Sequence, residues 1–232
     1  MTLLEHLAEL RVRLIQTLCF FVLGFLGAFF FINPSLIPYL KAQMPFSLTF
    51  YTLRITEGLE LSFELAALLS LMLIFPVILW QLWAYVKPGL YPNEQQLGKK
   101  YFPVIVLLFI VGIGFGYFVV FPLTVHAMLQ YSIHLGLTPL ITLNDYILLL
   151  TKLVFSFGVL FQLPVLLVLL AKAGLITSRF MRKQRKYAYF IILIVAGLLA
   201  PPELATHLAM TIPLIGLYEL GGVLVKRIEK GV

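Results

Sequence analysis

Long apolar runs separated by short polar stretches organise this chain. They fall at roughly 14–32, 59–86, 101–122, 146–171, 187–200 and 204–225. A helix needs about 20 apolar residues to cross a hydrocarbon core of about 30 Å, and five of the runs reach or approach that length. The fifth run, with its 14 residues, spans only about 21 Å as a helix. The pattern predicts an all-α membrane protein with six transmembrane helices. Pro76, Pro164 and Pro213 lie inside runs, and a proline within a helix bends it. Gly112, Gly114 and Gly116 in the third run predict close helix packing, with Gly112 and Gly116 at the small-xxx-small spacing. The helix there continues past the apolar run to about residue 131. The loop at 33–56 is partly apolar and reads as an ordered outer cap, with room for a short helix. Asn144 and Asp145 supply an N-cap for the fourth span.

Ahead of the first run lies a charged amphipathic foot. Leu3, Leu7, Leu10 and Leu14 share one helical stripe, Glu5, Glu9 and Arg13 the opposite face, and Arg11 the edge of the stripe. Thr2 and Glu5 have capping-box spacing. Glu9 and Arg13 are placed to pair at i,i+4, for only about 0.3 kcal/mol. The segment reads as a helical foot at a membrane surface that leads into a span.

Composition agrees with this reading. The chain has 232 residues, of which 61% are hydrophobic and 12% charged. Once the spans are removed no soluble domain is left, so 1–232 reads as a single integral membrane domain. The first run lacks a signal-peptide cleavage site and is followed by similar runs, so it is not a cleavable signal. The single cysteine, Cys19, excludes an internal disulfide and reads as a small core hydrophobe. The net charge of +7 reflects topology rather than nucleic-acid binding. Fourteen of the 17 lysines and arginines fall on the amino end, the second and fourth loops and the tail. Lys41 and Arg54 lie on the opposite side and Lys152 inside the fourth span. By the positive-inside rule both termini are cytosolic.

Several polar residues stand against this background. Glu57, Glu60 and Glu64 open the second span on one helical face. The first two suit the helix dipole, whereas Glu64, a turn deeper, needs water or a partner. Lys152, about two turns into the fourth span, also needs one, and Glu64 or Glu60 is the expected partner across a wet concavity. His126 and His134 read as solvated, and Glu219 as snorkelling to the interface. Trp80, Trp83 and Tyr85 mark a membrane interface. Glu9 and Glu94 are carboxylates on a basic face. Each is either an internal salt-bridge partner or a receptor for a cationic ligand, and bidentate pairing favours guanidinium.

Together these segments resemble the TatC family, core subunits of the twin-arginine protein translocase. The resemblance is carried by His6, Leu7, Glu9, Leu10, Arg11, Arg13 and Leu14; by Pro76, Val77, Ile78, Leu79, Gln81 and Trp83; and by Pro88, Leu90, Tyr91 and Glu94. Tyr117 to Pro122, Phe157 and Gly158 before Pro164, and Pro201 with Pro202 extend it, in order, over about residues 3–225. It implies a cup-like six-span bundle in the cytoplasmic (inner) membrane. It also implies a receptor for twin-arginine signal peptides on cargo exported already folded. The implied signal-peptide residues are Glu9, Arg11, Arg13, Tyr85 and Glu94, with Tyr85 where the family often has Phe. Pro38 matches an outer-loop proline. Glu203 stands where Asp is common, and His207 at a polar position used to dock single-span partners. Gln162 stands where the family often has a glutamate. It can hydrogen-bond in the wall of a cavity or between helices, but it cannot titrate. The implied partners are single-span subunits of the TatA and TatB type, further copies of the chain and membrane lipid, with export driven by the proton motive force and without ATP.

Two other classes compete. A small-solute secondary transporter would usually place its site at discontinuous helices and often show repeat symmetry; this chain offers proline kinks and no inverted halves. An intramembrane hydrolase needs a nucleophile–base pair or a metal set; the sequence has no His-Glu-x-x-His or Gly-x-Ser-x-Gly motif, and its four histidines are scattered. No enzyme activity, cofactor or metal is expected.

Overall fold

A computed structural model of the chain describes residues 3–42, 51, 53–86, 97–138, 140–199 and 204–230. The described elements are helical: α1 (Leu3–Gly27), α2 (Asn33–Ala42), α3 (Glu57–Val86), α4 (Leu97–Phe115), α5 (Phe121–His134), α6 (Leu143–Leu160), α7 (Leu163–Lys172), α8 (Ser178–Lys183), α9 (Arg185–Leu199) and α10 (Leu204–Lys230). Single π-helical turns at Ala28–Ile32 and Gly116–Val120 join α1 to α2 and α4 to α5. Four helical stretches are long and apolar enough to cross a membrane: Ala8–Leu40, Glu57–Leu82, Phe102–His134 and Leu143–Lys172.

The chain divides into two compact units, residues 1–89 with 140–152, and residues 90–139 with 153–232. In the first, α1 and α3 run antiparallel and are fastened along their length. Ser70 Oγ donates to the Phe21 carbonyl at 2.8 Å. A Cβ at Gly24 would stand 2.7 Å from Ser70 Oγ, so a larger residue there would displace that hydroxyl from its bond. Phe63 stacks on Phe25 at a centroid distance of 5.9 Å and lies 5.0 Å from Phe29. At the far end Asn33 Nδ2 donates to the Ser62 carbonyl at 2.6 Å. Polar side chains here meet backbone carbonyls inside an apolar setting, where an unmet donor is costly.

Four local expectations change. The first helix does not stop near residue 32: it continues through the π-turn to Ala42, so Pro38 lies within α2 and is exposed. Cys19 is exposed rather than part of the core, on a helix whose neighbours Leu18 and Phe20 are also exposed. A weakly polar thiol suits an outward apolar face as well as a core. The cap of α6 is Thr142, not the Asn144–Asp145 pair. Thr142 Oγ1 accepts the Asp145 N–H at 3.1 Å and donates to Asp145 Oδ2 at 2.8 Å, a reciprocal box with Asp in the third position. The fourth span is two helices, because Pro164 has no N–H to continue the ladder and Phe161–Gln162 form a turn.

In the second unit the glycine run packs as its spacing predicts. A Cβ at Gly112 would lie 2.6 Å from the Phe157 carbonyl oxygen, and one at Gly116 2.9 Å from Val154 Cα; Gly114 meets nothing within 4 Å. Phe115 fills the adjacent space against Phe157 and Phe161 at 5.6 and 5.5 Å. Helices α5 and α7 end in left-handed glycines, Gly136 and Gly174. At each, paired bonds return to the last turn (Gly136 N–H to Ile133, Leu137 N–H to Ser132; Gly174 N–H to Ala171, Leu175 N–H to Leu170), which is the Schellman closure.

Candidate functional site

The foot of α1 turns its polar face toward the end of α3. Arg13 Nε and Nη2 both donate to Glu9 Oε1, at 3.0 and 2.6 Å. Its Nη1 donates to Gln81 Oε1 at 2.9 Å and its Nη2 to the Ala84 carbonyl at 3.3 Å. Gln81 Nε2 in turn donates to Gln16 Oε1 at 3.2 Å. Arg13 is therefore the staple between the two helices. The side chains of Glu9 and Arg13 are 23% and 25% exposed, so they lie in partial shelter from solvent. Leu10 and Leu14, by contrast, are exposed. Here the Glu9–Arg13 pair faces inward while Leu10 and Leu14 face outward, the reverse of a soluble amphipathic helix and suited to a lipid setting.

Beside this staple is a cleft of about 430 Å³ lined by Ala8, Glu9, Val12, Arg13 and Gln16. Glu9 Oε1 carries two guanidinium bonds, whereas Glu9 Oε2 is buried and has no hydrogen-bond partner among the described residues. A carboxylate with one doubly hydrogen-bonded and one unmet oxygen has acceptor capacity left over. Arg11 is exposed, and Tyr85 is half-buried next to Ala84. Glu94 and Glu203 lie outside the described residues. Gln81 and Gln16 are the residues that charge patterning alone passes over. Their signal was a glutamine between Trp80 and Trp83 near the C-terminal end of an apolar helix, where a neutral amide finds few other reasons to be.

The other polar candidates sit elsewhere. Glu57 is buried and accepts the backbone N–H groups of Leu53 at 2.7 Å and Arg54 at 3.4 Å. Glu60 is taken by Arg54 at 2.7 Å and by the Thr56 hydroxyl at 2.9 Å. Glu64 and Lys152 are both exposed. Among the described residues no ion pair joins Lys152 to Glu60 or Glu64. Gln162 Nε2 donates to the Gly158 carbonyl over a long 3.4 Å, and its Oε1 is buried without a partner among the described residues. His207 Nε2 lies 2.8 Å from the Leu193 carbonyl. A carbonyl only accepts, so that nitrogen carries the proton. The ring lies where a Cβ on Gly197 would be, 2.9 Å from Cε1. His126 and His134 are exposed. Glu219, half-buried, is bound by Arg185 at 2.5 Å and by the Tyr189 hydroxyl at 2.6 Å rather than snorkelling freely.

The family model for TatC, described as Sec-independent protein translocase protein, matches residues 5–213. The chain belongs to the TatC family. Among its curated relatives, the Sec-independent protein translocase protein TatC of Listeria innocua is 43% identical, over 99% of this chain and 95% of that one. TatCy of Bacillus subtilis is 41% identical, over 95% and 87%. A crystal structure of the twin-arginine translocase receptor TatC superposes with a TM-score of 0.79 at 33% identity, covering 95% of this chain and 98% of that one. A second, in DDM, gives 0.81 at 32% identity, covering 95% and 99%. TatC proteins are components of a protein translocase, so transport, not catalysis, is what the site has to explain.

Proposed function

We propose that this TatC chain is the receptor subunit of a twin-arginine translocase and that Glu9 receives an arginine of the signal peptide. The observation that carries this is the unmet Oε2 of Glu9 beside an open cleft. A guest guanidinium would complete the carboxylate with a charge-assisted bond, and its planar fork suits a carboxylate better than an ammonium does. Glu94 is the second carboxylate of the pair. Arg11, Arg13 and Tyr85 shape the surroundings: Arg13 fixes Glu9, and Tyr85 offers an aromatic face.

The topology that goes with this function is six spans in one integral membrane domain, with α9 and α10 as the short fifth and the sixth span and both termini cytosolic. The charge distribution supports it, since the foot, the second loop, the segment 172–186 and the tail carry 14 of the 17 cations. α9 has 15 residues and reaches only about 22 Å, which thins the bilayer locally where single-span subunits of the TatA and TatB type assemble. Pro38, Glu203 and His207 belong to the outer loops and partner-docking surface. Glu60, Glu64 and Lys152 are intramembrane polar groups of the first unit, and Gln162 is a polar wall of a cavity in the second. Signal peptides of folded cargo are the substrate, other copies of the chain are further partners, the inner membrane is the location, and the proton motive force is the energy source.

The test is binding of a twin-arginine signal peptide and its lysine-pair variant to the purified full chain in nanodiscs. The arginine peptide should bind at least tenfold more tightly. Equal affinity for the two, or none for either, refutes the receptor assignment. Charge reversal at Glu94 should abolish export while leaving membrane insertion intact.

A further inference from the structure

A second cleft, of about 320 Å³, lies in the second unit between α8 and the last turns of α10. Its polar walls come from Ser178, Arg182 and Arg185 on one side and Glu219 and Lys226 on the other, with Val223 also in the lining. Three cations thus face one carboxylate. That carboxylate is already saturated, with Oε2 on Arg185 and Oε1 on the Tyr189 hydroxyl. Ser178 is engaged too, as its N–H donates to Glu229 Oε1 at 2.7 Å and its hydroxyl to Glu229 Oε2. Arg182 feels the Glu229 charge from outside the cleft. Lys226 is exposed and has no ion pair among the described residues. An ammonium and a guanidinium from two different helices thus line one cavity, with no ion pair to either among the described residues.

We infer that this cleft binds the phosphate of an anionic phospholipid, with Lys226 and Arg182 as its ligands. A phosphodiester is a permanent monoanion, its oxygens match the fork of Arg182, and Lys226 supplies a second point charge. The volume is at the lower end of the range for small-ligand sites, about 300–1,000 Å³, which suits a headgroup. A lipid is favoured over free phosphate because apolar surface leads away from the charges. Val223 in its lining, and Leu220 and Phe180, next in sequence to the lining residues Glu219 and Met181, are each about half exposed, apolar surface that acyl chains can follow. The anion site stands on the geometry of the cleft alone. Its assignment to a lipid rests on the six-span reading, which brings the end of α10 to the inner leaflet, where anionic headgroups concentrate.

The full chain in detergent is titrated with phosphatidylglycerol, phosphatidylcholine and water-soluble glycerol 3-phosphate, with bound species counted by native mass spectrometry. Phosphatidylglycerol should bind at least tenfold more tightly than phosphatidylcholine. The Arg182→Gln/Lys226→Gln variant should lose that preference, and the single Lys226→Gln variant, which breaks no internal bond, most of it. Lys183→Gln, exposed and outside the cleft, should leave it unchanged. Equal binding of the two lipids, or an unchanged preference in the double variant, overturns the inference. Displacement of the lipid by equimolar glycerol 3-phosphate overturns the lipid source. Signal-peptide affinity measured on the same samples separates the two sites. Loss of lipid preference with peptide binding intact bears on this cleft alone, and the converse on the Glu9 site alone.

Discussion

Replacing Gln81 with methionine isolates what the staple contributes. The substitution keeps length and approximate volume but removes the acceptor of Arg13 Nη1 and the donor to Gln16. The Glu9–Arg13 pair survives, because both residues are on α1 and their 2.6 and 3.0 Å bonds need nothing from α3. What is lost is the position of that pair. A hydrogen bond with one charged partner contributes about 1.5–3 kcal/mol when sheltered. The staple is about a quarter exposed, so about 1–2 kcal/mol is a fair value, or a 5- to 30-fold shift in favour of an undocked foot. The remaining bond to the Ala84 carbonyl, at 3.3 Å, is too long to compensate. Amide hydrogen exchange in nanodiscs reads the shift directly, since protection at residues 9–13 should fall 5- to 30-fold. The Kd of the twin-arginine peptide should rise over the same range, because an undocked foot no longer holds the Glu9–Arg13 pair in one position against α3. If protection at 9–13 is unchanged in Gln81→Met, the staple does not hold the foot. If protection falls while the Kd stays constant, the foot does not hold the site.

Other substitutions test separate parts of the structure. Gly112→Ala drives a Cβ to 2.6 Å from a backbone carbonyl oxygen, so the packed helices must part at about 1–3 kcal/mol. Its thermal midpoint in detergent should fall, while that of Gly114→Ala, with nothing within 4 Å, should not. Gln162→Leu removes a buried oxygen with no partner and a bond of only 3.4 Å; stability should hold or rise by up to about 1–3 kcal/mol, and export activity should fall if the amide serves the cavity. Glu229 is held below its ordinary value of 4.5, chiefly by the Ser178 hydroxyl and N–H and with help from Arg182. It binds its proton more weakly when folded, so the tether from α10 to α8 is at full strength above about pH 4.5 and weakens as pH falls through the lowered value. Protection of the Ser178 amide, corrected for intrinsic exchange, should drop in acid, and Glu229→Gln should remove that dependence.

Much of the fold was legible because its signals are local. Apolar run length gave the helices, and the glycines at 112 and 116 gave a packing surface, because each depends on a few neighbouring residues. Boundaries were less legible. A π-turn at Ala28–Ile32 carries the first helix on to Ala42 past Pro34 and Pro38, residues at which the proline rule favours an end or a bend. Near the start of the fourth span, Thr142, Asn144 and Asp145 all have cap chemistry. What decides between them is that Thr142 and Asp145 can bond each other reciprocally, a relation between two side chains rather than a property of either.

The candidate site was legible in its charges and not in its neutral groups, for a physical reason. In an apolar sequence a charged residue is expensive enough to advertise itself, so Glu9 and Arg13 stand out, and their i,i+4 spacing pairs them. An amide such as Gln81 costs less to place and carries no sign with which to predict a partner, yet it is the amide that converts a local pair into a contact across 68 residues of sequence. The same asymmetry explains the direction in which the foot faces. Leu10 and Leu14 form the apolar stripe that in water would pack inward; with lipid outside, the inward face is the one that needs hydrogen bonds. A carboxylate positioned by that inward face, with one oxygen still unmet, is fixed before any guest arrives. On the receptor assignment proposed for Glu9, a preorganised acceptor would distinguish a guanidinium from an ammonium by geometry as well as charge.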